Sequence, residues 1–292
     1  MAGSSMRDIR RRIRSVTSIE HITNAMKLVS SAKLRRARNI FDRTHEYLHL
    51  ITDKIHDFFS NVEELQSDYF LGEREIRRTC YIIVTSNRGL AGSYNANVIK
   101  KADGAIKNDR EQGKKDPLLV FIGGKGRTYF TKRGYEAFSE YMSPPENVSF
   151  VAMAEIAKPI IALFDAGEID EIAIVYTTFK TTLEQTAVMK RLIPFEPVQS
   201  ASQSKRKEHV EYEPSAEKVL EYLVPKYAEI ALYQAVIEAA TCEHAARRAA
   251  MQNATDNARD MITDLNLSFN RARQAAITSE ITEIVSGADA VN

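Results

Sequence analysis

The chain has 292 residues, 44% hydrophobic and 27% charged, and its 40 Lys and Arg nearly cancel 39 Asp and Glu to leave a formal net charge of +1. That length suffices for one α/β domain with helical arms, and the balance excludes a chain that acts as a polyelectrolyte over its whole length. No apolar run approaches the roughly 20 residues of a membrane span, and Cys80 and Cys242 stand far apart outside any C-x-x-C or Cys/His cluster, so a reducing compartment and no metal site are expected.

Between Gly3 and Gly72 there is neither glycine nor proline, and the same holds between Pro225 and Gly287. The two residues that most readily break a helix are therefore missing from both ends, and each stretch could extend roughly 90–100 Å as a helix. Rods of that length do not fit inside a globular core, so the ends are expected to pair as a long antiparallel coiled coil. In the first rod Ile9, Ile13, Val16, Ile19, Ile22, Met26 and Val29 recur at steps of three or four. Ala37, Phe41, Thr44, Leu48, Ile51, Ile55, Phe58, Val62 and Leu65 continue that seam. The Arg- and Ser-rich start is read as mature protein, because the helical pattern it opens runs on unbroken. From Met6 to Arg43, eleven Lys and Arg face only three acidic residues, a local excess of eight. Such a helix can meet acidic protein surfaces or nucleic-acid phosphates; no aromatic interleaves the arginines before Phe41, which favours a protein partner, with a basic coiled-coil nucleic-acid binder as the alternative.

Periodicity changes after the first rod. Thr79 to Ser86, Leu118 to Ile122 and Glu171 to Thr177 are short β-branched apolar runs suited to a buried parallel sheet. Helix-length segments at Asn97 to Gln112, Lys125 to Arg133 and about Ala154 to Ala166 separate them, and an alternating strand at Ala187 to Ile193 follows. The fold class is α/β, a central Rossmann-like domain with a mostly parallel sheet beside the coil formed by the N- and C-terminal helices. The boundaries expected are 1–75 for the first helix, 76–197 for the central domain, 198–214 for a polar linker and 215–292 for the last helix. In that last rod Met251, Ala254, Ala258, Met261, Leu265, Ser268, Ala272 and Ala275 keep the same rhythm with small side chains, and Pro225 is expected to kink the helix or mark where it straightens.

Chemistry is harder to find. Gly123-Gly124-Lys125-Gly126-Arg127-Thr128 follows a strand but lacks the G-x-x-x-x-G-K-[ST] spacing of a phosphate loop, and Arg88-Gly89-Leu90-Ala91-Gly92-Ser93 is not G-x-G-x-x-G. Both read as structural turns or contact loops. No nucleophile, base and orienting acid form a set, and His45 with His49, four apart, lack a third ligand, so solvated helix positions are expected there. No catalytic, cofactor-binding or metal-ligating residue is assigned, and no cofactor.

One family carries these features together. Met6-Arg7-Asp8-Ile9-Arg10, Ser18-Ile19-Glu20-His21-Ile22-Thr23-Asn24-Ala25-Met26-Lys27-Leu28-Val29 and Ala32-Lys33-Leu34-Arg35-Arg36-Ala37 lie near the start. Ser86-Asn87-Arg88-Gly89-Leu90-Ala91-Gly92 lies in the middle, and Glu243-His244-Ala245-Ala246-Arg247, Met251-Gln252-Asn253-Ala254-Thr255-Asp256-Asn257-Ala258 and the run Asn270 to Gly287 lie near the end. From Met6 to nearly the last residue the chain resembles the gamma subunit of bacterial-type F-type ATP synthases. The resemblance implies a non-catalytic rotor shaft, one copy within a ring of three alpha and three beta subunits, whose α/β domain meets epsilon and the membrane c-ring. It implies a peripheral position on the cytoplasmic face of a bacterial cell membrane and no nucleic acid. By motif it implies beta-subunit coupling contacts at Met26, Lys27, Arg247, Arg273, Gln274 and Thr278, and contacts to epsilon or the c-ring at Tyr212 and Glu213. Asp289 and Asn292 depart from the family's small, apolar terminus, and the cysteine-bearing insertion of chloroplast members is missing, so thiol switching is not expected.

Overall fold

The computed structural model describes residues 2–61, 69, 75–143, 148–182, 184–195, 213 and 215–289, leaving aside the side chains of 2–5, 55–61, 216–217 and 287–289. The elements in chain order are α1 (Ala2–Asn61), β1 (Thr79–Val84), α2 (Tyr94–Glu111), β2 (Leu118–Ile122), α3 (Gly124–Thr131), β3 (Ser139–Tyr141), α4 (Phe150–Asp165), β4 (Glu171–Phe179), β5 (Gln185–Ile193) and α5 (Ala216–Asp289). Two compact units result, Met1–Ser31 with Arg247–Asn292, and Ala32–Ala246. Both long helices contribute to both units.

The larger unit is built on a five-stranded sheet in the order β3-β2-β1-β4-β5. β1 pairs in parallel with β2 and β4, β2 in parallel with β3, and β4 antiparallel with β5. Alternation along the strands divides the core. Ile82, Val84, Val120, Ile122, Ile172 and Ile174 join α4 and the first part of α5, with Leu48 of α1 in the same cluster. Tyr81, Ile83, Leu119, Phe121, Ala173 and Val175 pack with Val98, Ala102 and Ile106 of α2 and Phe130 of α3. Because side chains of a strand point alternately to the two faces, the β-branched runs of β1 and β2 bury both sets, as a sheet covered on both sides requires. β3 was not foreseen. Only three residues long, with Glu140 exposed between half-buried Ser139 and Tyr141, it lacks the apolar run by which the other strands declare themselves.

Two prolines sit inside helices. α5 continues through Pro225 and α4 through Pro159, so neither ends its helix. α4 begins at a Ser149 cap whose hydroxyl oxygen accepts the Ala152 N–H at 3.2 Å.

In the smaller unit the two rods do pair antiparallel. Arg10 stacks over Phe269 at 5.3 Å, Glu20 meets Arg259 at 3.0 Å, and the Thr23 and Thr255 hydroxyls lie 2.8 Å apart. The seam differs from the expected one at several positions. Ile9, Ile13 and Val16 are half-buried as expected, but Ile19, Ile22 and Val29 are exposed, and the inward row continues instead through Glu20, Thr23, Lys27 and Ser30. On α5 the inward row is Met251, Thr255, Ala258, Ile262, Leu265, Phe269, Ala272 and Ala276, so Met261, Ser268 and Ala275 turn outward, one position before the residues that replace them. A straight helix of 3.6 residues per turn drifts relative to a 3.5 repeat, so two apolar stripes can satisfy the same spacing, and only the partner helix selects one. In the larger unit Ala37, Phe41, Thr44, Leu48 and Ile51 face inward as expected, while the side chains of Ile55, Phe58, Val62 and Leu65 lie outside the described residues.

Candidate functional site

The glycine-rich turn before α3 is the first place to look for an anion site, since a helix start offers N–H groups with no partner in the helix. Here those donors are occupied from within. The Gly123 N–H donates to the Tyr141 carbonyl at 2.9 Å, Gly124 to Asn87 Oδ1 at 2.8 Å, Lys125 to the Ser86 carbonyl at 3.1 Å and Gly126 to Thr85 Oγ1 at 2.9 Å. Gly123 has φ 96°, and a Cβ on it would stand 1.9 Å from the Thr85 carbonyl oxygen. The glycines therefore let the turn close onto the segment after β1 rather than onto a phosphate.

The order β3-β2-β1-β4 also creates a switch point between β1 and β4, where open α/β sheets ordinarily hold ligands beyond the strand ends. α5 takes that place. Cys242 and Ala246 of α5 pack with Ala91, Tyr94 and Phe179, and the Cys242 thiol donates to the Thr177 carbonyl at 3.4 Å. Nearby, Glu238 accepts the Phe179 N–H at 2.8 Å, and burial raises its carboxyl above the usual range. Burial likewise pushes up the Cys242 thiol, and lifts that of Cys80 to about 12, so neither is a ready nucleophile. His49 pairs with Asp53 at 2.9 Å and His45 lies against the Phe41 ring, and among the described residues no group of three or more His, Cys, Asp or Glu could hold a metal ion.

What the molecule offers instead is surface. In the smaller unit Ile19, Ile22, Leu28 and Val29 of α1 and Met261, Leu267, Ile277, Ile281, Ile284 and Val285 of α5 are all exposed, Ile284 by 72%. From Ile277 to Ser286 every α5 side chain is exposed. Large apolar side chains in contiguous display mark interaction surfaces rather than solvated faces. Arg273, Gln274 and Thr278 stand at the start of this display, all exposed, with the Thr278 hydroxyl donating to the Gln274 carbonyl at 3.0 Å. Met26 and Lys27 are half-buried, their carbonyls accepting from the Ser30 and Ser31 hydroxyls at 2.8 and 2.9 Å, and Arg247 is half-buried as well. Of the two residues expected to meet epsilon or the c-ring, Glu213 is exposed, whereas Tyr212 lies outside the described residues. The outward stripe Ile19, Ile22 and Val29 escaped notice as a surface because its spacing made it look like seam.

Comparison with known proteins agrees with this picture. Residues 5–291 match the family model described as ATP synthase. The chain is 45% identical to the ATP synthase gamma chain of Alkaliphilus metalliredigens, covering 99% of each chain, and 40% identical to that of Moorella thermoacetica, covering 98% and 99%. Among solved structures it is similar to a chain in the OSCP/F1/c-ring of Euglena gracilis mitochondrial ATP synthase, with TM-score 0.67 and 18% identity over 99% of this chain and 95% of that one.

Proposed function

The chain belongs to the ATP synthase gamma chain family, and from that premise we propose that it is the central rotor shaft that couples ion flow through a membrane c-ring to ATP synthesis and hydrolysis on an alpha/beta ring. The observation that carries this reading is the exposed apolar display of the coiled unit, the kind of surface that surrounding chains cover. The chain itself is a non-catalytic subunit, and its glycine-rich turn and sheet switch point are filled from within. One asymmetric shaft within three alpha and three beta subunits makes different contacts with each chemically identical catalytic subunit, and such differential contacts hold the three in different conformations.

Met26, Lys27, Arg247, Arg273, Gln274 and Thr278 are the beta-subunit contacts in this reading, and Tyr212 with Glu213 the contacts to epsilon or the c-ring. No helix among the described residues is long and apolar enough to cross a membrane, so the attachment proposed is through the c-ring at the cytoplasmic face of a bacterial cell membrane. The nucleic-acid alternative finds no support, since the family model and the relatives at 40–45% identity are ATP synthase chains. Co-expression with the alpha, beta and epsilon chains of the same source tests the proposal. Native mass spectrometry should show one copy of this chain in an assembly containing three alpha and three beta chains, with ATP hydrolysis dependent on it. Failure to co-purify, or salt-sensitive DNA binding by the chain instead, overturns it.

A further inference from the structure

The coil is apolar at one end and nearly featureless in the middle. Ile9, Ile13 and Val16 share the outer seam with Ile262, Leu265 and Phe269, whereas farther in α5 presents Ala254, Thr255 and Ala258 to a polar row on α1. Interlocking of large side chains resists sliding of one helix along another, and Ala and Thr supply little of it. Two polar contacts stand at this smooth stretch. The Arg259 guanidinium reaches Glu20 Oε1 from Nε at 3.1 Å and from a terminal nitrogen at 3.0 Å, and the Thr23 and Thr255 hydroxyls meet one turn away. Glu20 retains only 13% side-chain exposure, and Thr255 none.

We infer that the Glu20–Arg259 pair, with the Thr23–Thr255 contact beside it, is a register pin that fixes the axial position of α1 against α5. A slip of one turn in one direction would bring Glu20 alongside Asp256, a like charge, and in the other direction alongside Ile262, an apolar side chain, leaving a largely desolvated carboxylate without its guanidinium. Arg259 itself is 54% exposed, so the pair adds little stability; the cost of losing it falls on the Glu20 carboxylate, which would sit poorly solvated and unpaired, so the contact selects one register more than it adds stability. Glu20 and Arg259 are positioning residues; the pin holds the Arg273 to Thr278 stretch at a set offset from Met26 and Lys27, which lie on the other helix. Its role in coupling rests on the function proposed above, while its existence does not.

The full chain carrying Ser15→Cys and Asn253→Cys, both at exposed positions, allows spin labelling while Cys80 and Cys242 stay buried. Pulsed electron-spin distance measurement should give one narrow distribution. Glu20→Ala, Arg259→Ala and the near-isosteric Glu20→Gln should each add a population displaced by about one helical turn, ~5.4 Å, and Arg259→Lys should restore the single one. A narrow, unshifted distribution in all three disrupted variants overturns the pin, and so does an Arg259→Lys chain that shows the same displaced population as Arg259→Ala. In the assembled complex the same three variants should lower ions pumped per ATP hydrolysed by about twofold or more while leaving hydrolysis intact. A shifted register with unchanged coupling would retain the pin and remove its role, and an unaltered chain that never assembles would overturn the proposed function alone.

Discussion

The two units solve the problem of stability in opposite ways. The Ala32–Ala246 unit buries Tyr81, Phe121, Phe130, Phe164 and Ile174 to under 2% exposure and closes a core on both faces of its sheet. In the other unit, among the described residues, only Ser30, Met251, Thr255 and Ala258 are buried, and large apolar groups stand in solvent. One unit carries its own core; the other is half of an interface. The difference teaches that the long helices owe their role to what surrounds them, and substitutions should separate the two regions.

The largest effects belong to the closed core. Phe121→Ala should destabilise the chain by about 3–5 kcal/mol, read by urea unfolding, because the cavity it leaves between sheet and helices cannot collapse. A cost below ~1 kcal/mol would mean that the core is looser than the burial implies. Next comes Gly123→Ala, where a side chain must enter a positive-φ position and the Thr85 carbonyl together; about 2–3 kcal/mol is expected, again by urea unfolding, and a neutral substitution would show the turn is not closed as described.

A smaller effect should come from Glu238. Its folded carboxyl holds a proton more tightly than the unfolded one, so its contribution favours the fold below the unfolded pKa and is lost as pH rises through the folded value. Glu238→Gln should therefore flatten the loss of stability as pH rises above the ordinary carboxyl range in thermal melts, and an unchanged slope would place the titration elsewhere. In the coil the expectation reverses. Ile22→Asp, at a position 56% exposed, should shift stability of the isolated chain by less than ~0.5 kcal/mol yet impair co-purification with alpha and beta chains. Normal assembly would show that this stripe meets nothing. Smallest of all, Arg273→Ala with Gln274→Ala should permit assembly and alter turnover, since a charge-assisted bond contributes only ~1.5–3 kcal/mol beside burial of the whole coil. Unchanged hydrolysis and pumping would make these two ordinary solvated residues.

Much of this was legible before any coordinates. The glycine- and proline-free stretches announced both long helices, β-branched runs located β1, β2 and β4, and alternation located most of β5, since each feature acts through local backbone preference or a short period. Other features were hidden because they depend on a distant neighbour. β3 became a strand only by pairing Ser139 to Tyr141 with Val120 to Ile122. Pro225, which a local rule would make a break, is carried within α5 because Val224, Tyr227 and Ala228 beside it are buried in the sheet's core.

The type of every element but β3, the antiparallel return of the chain and the missing phosphate-loop spacing were thus properties of the sequence by itself, for they rest on residue kinds and their separations. Which apolar stripe of α1 turns inward, the use of Glu20 and Thr23 as seam, and the filling of the switch point by Cys242 and Ala246 were decided only in the tertiary structure. The physical reason is the same in each case: a helix face has no inside until another element covers it, and in the coil Ala254, Thr255 and Ala258 of α5 are small enough to accept the polar row of α1 and leave Ile19, Ile22 and Val29 facing out.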